Sequence, residues 1–114
     1  MIRNVFAVIV AASLALSVSD LSAHAQAADE FRIGMRAFDA SKFKIAFKIL
    51  KPLAEQGHAE AQLIVADMYN IGKGVQQDNS SAISWYRKSA AQGNTEAIQM
   101  LGQGMRLFGE TSGN

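Results

Sequence analysis

The sequence contains no cysteine, one proline and little charge of either sign. Without cysteine there can be no disulfide, no thiolate zinc site, no cysteine nucleophile and no lipidated N-terminal cysteine. The formal net charge is only +1, so nucleic acid and anionic membranes, which bind concentrated basic surfaces, are poor candidates for partners. In a chain of 114 residues, 49% hydrophobic and 18% charged residues are typical of one folded domain.

The N-terminal segment has the order of parts found in a secretory signal peptide. Arg3 supplies the positive charge, an apolar run covers residues 5–18, and small residues flank His24. This order predicts cleavage after Ala25, with cleavage after Ala27 as the alternative.

A signal peptide at residues 1–25 leaves a mature chain of residues 26–114. The apolar run is shorter than the ~20 residues that a membrane-spanning helix needs. We therefore expect a periplasmic or secreted bacterial protein that has no membrane attachment after cleavage.

Beyond this segment the sequence repeats itself. Gly57 and Gly93 are 36 positions apart. Other residues recur at the same spacing: Gln56 and Gln92, Glu60 and Glu96, Ala61 and Ala97. Self-similarity at a fixed period of this size is the signature of stacked supersecondary units.

Each unit has the apolar spacing of two amphipathic helices, i, i+3, i+4, i+7. The pattern predicts five helices in antiparallel pairs, and therefore an all-α fold. They are a helix at 29–39, a helix at 41–56, a helix that starts at Gly57 or His58 and breaks at 71–74, a helix capped by Asp78 and stopped by Gly93, and a helix capped by Asn94. Pro52 falls inside the second of these and is expected as a tolerated bend.

Residues 61–93 closely resemble a Sel-one-like repeat, a relative of the tetratricopeptide repeat. The resemblance rests on a glycine loop, a Trp-Tyr pair and a Gln-Gly ending, in the family's order. The matching residues are Ala61, Tyr69, Gly72, Gly74, Val75, Asp78, Ala82, Trp85, Tyr86, Lys88, Ala90, Ala91, Gln92 and Gly93. The family's Leu-Gly pair is replaced by Val65-Ala66, which keeps the size class.

The resemblance implies a short α-solenoid of about two and a half units, because such repeats stack on their neighbours. We expect a short first repeat at 29–57, a full repeat at 58–93 and a half repeat or cap at 94–108. It also implies that the most recognisable residues hold the stack together and do not bind ligands. Those assigned this structural role are Ala61, Tyr69, Gly72, Gly74, Ala82, Trp85, Tyr86, Ala90 and Gly93.

In proteins similar to this one, binding occurs on variable positions of the concave face, which is lined by the first helix of each pair. The candidate protein-binding residues are Gln62, Asn70, Gln99 and Arg106 on the polar face of the first helices, and Ile98 and Leu107 on the apolar side of the last helix.

No residue pattern indicates catalysis, a metal site or a cofactor. The segment 72–74, Gly-Lys-Gly, lacks the preceding strand, the spacing and the Ser/Thr that a phosphate loop requires. His58 stands at a helix edge with no nucleophile implied near it, so helix capping is the preferred interpretation. Asp29 and Glu30 are too few for a metal site and favour a helix N-terminus. The lysines at 44, 48 and 51 are interpreted as a solvated helix face.

The last helix is unusually apolar for the end of an array. Its apolar positions between Ala97 and Phe108 cover about half of the helix circumference, and Gly102 and Gly104 weaken it. We therefore expect this helix to dock a partner or a second copy of the chain.

The sequence thus predicts a non-enzymatic protein–protein interaction module or adaptor in the cell envelope, whose partner is another protein. The alternative is a periplasmic carbohydrate binder that contacts peptidoglycan through its polar concave face.

Overall fold

The computed structural model describes the backbone of residues 2–112 and the side chains of residues 20–104. Over this range the chain forms five helices and no strand, which confirms the all-α prediction. The helices are α1 (Ile2–Asp39), α2 (Phe43–Glu55), α3 (Ala59–Ile71), α4 (Asn79–Ala91) and α5 (Thr95–Ser112). Each helix packs against the next along the chain, so the architecture is the predicted short solenoid. We call α1, α3 and α5 the first helices and α2 and α4 the second helices of the pairs.

Helix α1 is much longer than the helix predicted at residues 29–39. It begins at Ile2 and ends at Asp39, so it includes the segment assigned to the signal peptide, and the cleavage site stays a prediction. Over the described residues, no helix combines the length and the apolarity needed to cross a membrane.

Three polar side chains begin the later helices, as predicted from their positions. His58, Asp78 and Asn94 each accept hydrogen bonds from backbone N–H groups of the first helical turn, at 3.0–3.3 Å. These groups have no partner inside the helix, so a side-chain acceptor stabilises the helix start. Hydrogen bonds from the Ser81 hydroxyl and backbone hold the pKa of Asp78 below its usual range.

Glycines end α2 and α4 and shape the loop between α3 and α4. Gly57 and Gly93 have φ of 100° and 90°, the left-handed conformation that glycine adopts without steric cost. Gly74, at φ 74°, lies so close to α2 that a Cβ atom there would collide with the carbonyl oxygen of Phe43. The glycine loop of the repeat is therefore packed directly against the preceding unit.

The core consists of two clusters that meet at α3. One cluster joins α1, α2 and α3 through Ala46, Leu50, Leu53, Ala54, Ala61, Val65 and Met68. The other joins α3, α4 and α5 through Leu63, Ala66, Ala82, Tyr86 and Ala97. Helix α3 thus buries two faces, one against the unit before it and one against its own partner helix.

Candidate interaction site

A largely apolar groove of about 590 Å³ lies between α4 and α5. The floor and walls come from both helices and from the loop end of α3. Residues along it include Asn70, Ala82, Ile83, Tyr86, Met100 and Leu101, with Arg87 and Gln103 at the side. A concave apolar surface with a few polar groups at its edge is the usual form of a binding site.

The groove follows from a loss of side-chain volume between one unit and the next. In the interface between α2 and α3, Phe47 packs edge-on against Tyr69, with ring centroids 5.5 Å apart, and Met68 is buried beside them. A shift of 36 residues places Ile83 at the position of Phe47 and Gly104 at the position of Met68. Both replacements are smaller, and both line the groove.

Tyr86, which lines the groove, forms a polar pair with Asp67 of α3. The Tyr86 hydroxyl donates a hydrogen bond to the Asp67 carboxylate at 2.5 Å. Burial raises the pKa of Asp67; the Tyr86 hydrogen bond opposes the rise and the charge of Glu96 adds to it. Burial, followed by the hydrogen bond and charge of Asp67, raises the pKa of Tyr86. The tyrosine therefore stays protonated and keeps donating to α3.

The structure places Gln62 in the core and not on a binding surface. Its side chain is 5% exposed, and its amide donates to the Ala54 carbonyl at 3.0 Å. Gln92 donates to the Gln62 side-chain oxygen at 2.9 Å and to the Gly57 carbonyl at 2.8 Å. Gln62 is therefore a structural residue that joins three helices, which corrects its assignment as a contact for a partner.

The other predicted contact residues fall in two places. Asn70 is half-buried and lines the groove. Ile98 is 50% exposed and Gln99 is exposed, both on α5. Arg106 and Leu107 lie outside the residues whose side chains are described.

The residues assigned to the repeat motif lie where helices meet. Ala61 and Ala82 are buried, and Trp85 and Ala90 pack against the core. Tyr69 contacts Phe47 as described above, and the loop and turn glycines have positive φ.

Sequence reasoning missed the role of Ile83, Arg87 and Leu101 at the groove. The groove could have been predicted by comparing the two repeat units position by position for side-chain size as well as for residue type.

The charges of α2 and α4 differ in sign from those in the described parts of α3 and α5. The second helices, α2 and α4, carry five basic residues and one acid, namely Lys44, Lys48, Lys51, Arg87 and Lys88 with Glu55. The described parts of α3 and α5 carry only acids: Glu60, Asp67 and Glu96. The Lys51–Glu55 pair, at 3.6 Å, is largely exposed and contributes little to stability. Among the described residues that line the groove, Arg87 of α4 carries a charge.

The described residues offer no metal site, since no three His, Asp or Glu side chains among them converge. His58, the sole histidine of the predicted mature chain, caps α3 and stacks on Phe31 with ring centroids 4.7 Å apart. Both contacts are structural.

Comparison with known proteins finds similarity to Sel1 repeat proteins. Residues 59–94 match the model of the Sel1 repeat. The chain is 34% identical over 65 residues to an exopolysaccharide production negative regulator of Rhizobium leguminosarum bv. viciae, a match over 57% of this chain and 24% of that protein. A crystal structure of a Sel1 repeat protein from Oxalobacter formigenes superposes with a TM-score of 0.63 at 33% identity, over 68% of this chain and 23% of the other. The chain thus spans about a quarter of the length of each of these relatives.

Proposed function

We propose that the chain is a non-enzymatic adaptor that binds one protein partner in the cell envelope, because residues 59–94 match the Sel1 repeat and proteins with this repeat are generally protein–protein interaction modules. The observation that carries this proposal is the groove between α4 and α5, with its apolar floor and a few polar side chains at its edge. Apolar area at the centre with polar groups at the rim is the usual anatomy of a protein interface.

The hydrogen-bond partners of the buried polar side chains also support a binding role. Polar contacts such as the Tyr86–Asp67 pair and the Gln62–Gln92 pair join α3 to α4 and to the turn after it. These side chains therefore take part in holding the helices together. The groove instead presents area, shape and a few polar edge groups.

The envelope location rests on the N-terminal segment. The order of a positive residue, an apolar run and small residues before Ala25 is typical of export signals. Absence of cysteine is compatible with an oxidising compartment, since a chain without thiols has no redox chemistry to protect.

The Rhizobium relative is named as a negative regulator, which is a role that a binding protein performs by occupying another protein. The present chain corresponds to a quarter of that protein, so an adaptor or inhibitor role is proposed here without its target. One short array offers an interface of standard size or less.

The partner can be sought by photo-crosslinking in the native host. A benzoylphenylalanine replaces Gln103, which lies at the groove and is exposed, in the full chain. The matched control carries the same crosslinker at Ser84, an exposed position of α4 outside the groove. We expect one protein to be crosslinked from position 103 and not from position 84.

Two outcomes would contradict the adaptor proposal. Equal crosslinking from both positions would mean that the groove is not the binding surface. Retention of the purified chain on peptidoglycan sacculi, lost on substitution of Asn70 or Gln99 and accompanied by no protein crosslink, would favour the carbohydrate-binding alternative.

Export is tested separately by N-terminal sequencing of the protein from the periplasmic fraction. The expected first residue is Gln26, or Ala28 if cleavage follows Ala27. A chain that is recovered uncleaved from the cytoplasm would refute the assigned location.

A further inference from the structure

Helix α5 has one face that packs against α4 and a second face that is exposed. Ala97 is fully buried, and Met100 and Leu101 pack against the second core cluster. The exposed residues, here called the outer face of α5, are Ile98, Gln99, Gly102 and Gln103. The equivalent first helix, α3, buries both of its faces.

The repeat register shows what covers this face in the preceding unit. A shift of 36 residues relates the outer face of α5 to Gln62, Leu63, Ala66 and Asp67 of α3. All four are covered by α4 or by the turn that follows it: Leu63 and Ala66 lie in one cluster with Ala82 and Tyr86, Asp67 bonds to Tyr86, and Gln62 bonds to Gln92. The outer face of α5 is thus the repeat of a surface that binds a helix.

The two surfaces also share residue types: each has a glutamine, an aliphatic residue and a small residue. In α3 a glutamine precedes an aliphatic residue, Gln62-Leu63, and in α5 the same pair occurs in reverse order, Ile98-Gln99. Ala66, which is completely buried, corresponds to Gly102, and a Cβ atom on Gly102 would meet nothing within 4 Å. A small residue at a helix crossing permits close approach of a second helix, as Ala66 does for α4.

We propose that the outer face of α5, together with the adjoining groove, binds an amphipathic helix of a partner protein in the position that α4 occupies against α3. This rests on the proposed adaptor function and names its partner's binding element. The helix would be built like α4, with small residues at the crossing and an aromatic side chain toward the groove. A glutamine at its C-terminal end would reach the Gly93 carbonyl, as Gln92 reaches that of Gly57.

A second copy of the chain is a less suitable occupant. The position calls for a second helix of a pair, and in the described part of the chain these are α2 and α4. Each of them is already packed between two first helices. A helix from a different protein meets no such competition.

The test uses the full chain and a peptide of residues 78–93, the chain's own α4, as the probe. An isolated helix of this length is marginal in water, so the peptide is stapled across Ser84 and Lys88. These two positions are exposed in α4 and four residues apart. We expect the stapled peptide to bind and to shift the amide resonances of α5, whereas a scrambled stapled peptide does not.

Two substitutions and two matched controls locate the contact. Ile98→Gln is expected to weaken binding about tenfold, and Ile45→Gln, which changes an isoleucine of similar exposure on α2 (52% against 50%), is expected to leave it within twofold. Gly102→Arg is expected to abolish binding, whereas Gly102→Ala introduces the residue that α3 has at the equivalent position and is expected to preserve it. Both Gly102 variants point into open space, so loss of folding does not account for a difference between them.

Several results would overturn the proposal. They are absence of peptide binding, equal weakening by Ile98→Gln and Ile45→Gln, and a dimer of the full chain that Gly102→Arg dissociates, which would assign the face to a second copy. A protein crosslinked from Gln103 in cells, combined with no binding of the helical peptide, would refute this inference and leave the adaptor function in place.

Discussion

Alanine substitutions at four glycines allow the cost of a left-handed backbone conformation to be measured separately from the cost of a steric clash at Cβ. Gly57, Gly74 and Gly93 share a left-handed conformation, with φ between 74° and 100°. A Cβ atom would meet nothing within 4 Å at Gly57 and Gly93, but would collide with the Phe43 backbone at Gly74. Replacement of each by alanine therefore tests the two costs independently.

The expected magnitudes follow from these observations. The left-handed conformation costs a non-glycine residue ~1–2 kcal/mol, and the reduced entropy of the unfolded chain returns ~0.4–1 kcal/mol. Gly57→Ala and Gly93→Ala should each lower the free energy of unfolding by about 1 kcal/mol. Gly74→Ala adds an overpacking cost of ~1–3 kcal/mol, because the loop must move away from the carbonyl of Phe43, and should lose about 2–4 kcal/mol.

Gly102→Ala is the positive control of the same series. Gly102 is helical and its Cβ position is open, so alanine should raise the free energy of unfolding by up to ~1 kcal/mol. Urea unfolding followed by circular dichroism measures all four variants, and the slope of the transition shows whether the unfolded state has changed. A loss for Gly74→Ala no larger than that for Gly93→Ala would refute the argument that the glycine loop is packed against α2.

Three further substitutions test contacts of single side chains. Ser41 has φ 61°, so Ser41→Gly should raise the free energy of unfolding by up to ~1 kcal/mol, as measured by urea unfolding. Gln92→Ala removes a donor to the buried Gln62 oxygen and should lower the melting temperature, with a loss of ~1–3 kcal/mol. Asp67 has a raised pKa, so the stability that its protonated form provides is complete below the unfolded value of 3.8 and is lost as the pH rises through the folded value. Asp67→Asn stays neutral and can accept from Tyr86, so its unfolding midpoint in urea should change less between pH 4 and pH 7 than that of the wild type.

Each of these expectations has a result that contradicts it. A lower free energy of unfolding for Ser41→Gly than for the wild type would contradict the first expectation. The control for Gln92→Ala is Gln99→Ala, on the exposed surface of α5, whose free energy of unfolding should stay within about 0.5 kcal/mol of the wild type. If Gln92→Ala loses no more than this control, the hydrogen bonds of Gln92 contribute nothing to stability. Parallel pH profiles for Asp67→Asn and the wild type would show that the carboxylate is not perturbed by burial.

The helices after residue 40 could be predicted from the sequence because local signals agree with the packing. Apolar residues at helical spacing, glycines at 57 and 93 and capping residues at 58, 78 and 94 all mark the same boundaries. The repeat supplies the topology, since units that resemble each other stack in order. The length of α1 was not predicted from the sequence, because the segment with the pattern of an export signal also forms a helix.

The site was harder to predict because it depends on residues that are distant in sequence. Gln62 has the polarity of a surface residue, and it is buried only because Ala54 and Gln92 satisfy its amide from two other helices. The groove depends on a difference between the two repeat units: Gly104 stands at the position that corresponds to Met68 in the preceding unit. No window of local sequence contains both members of such a comparison.

The difference between α3, covered on two faces, and α5, covered on one in the described part of the chain, has a consequence for local unfolding. In a linear array the stability of a unit depends on how many neighbours it has, so opening of α5 disrupts one core cluster, whereas opening of α3 disrupts both. Among α2 to α5, amide hydrogen exchange should therefore be fastest at α5 and slowest at α3. A ligand on α5 would slow exchange along the whole helix, including amides that it never contacts, because it gives the end of the array its second neighbour.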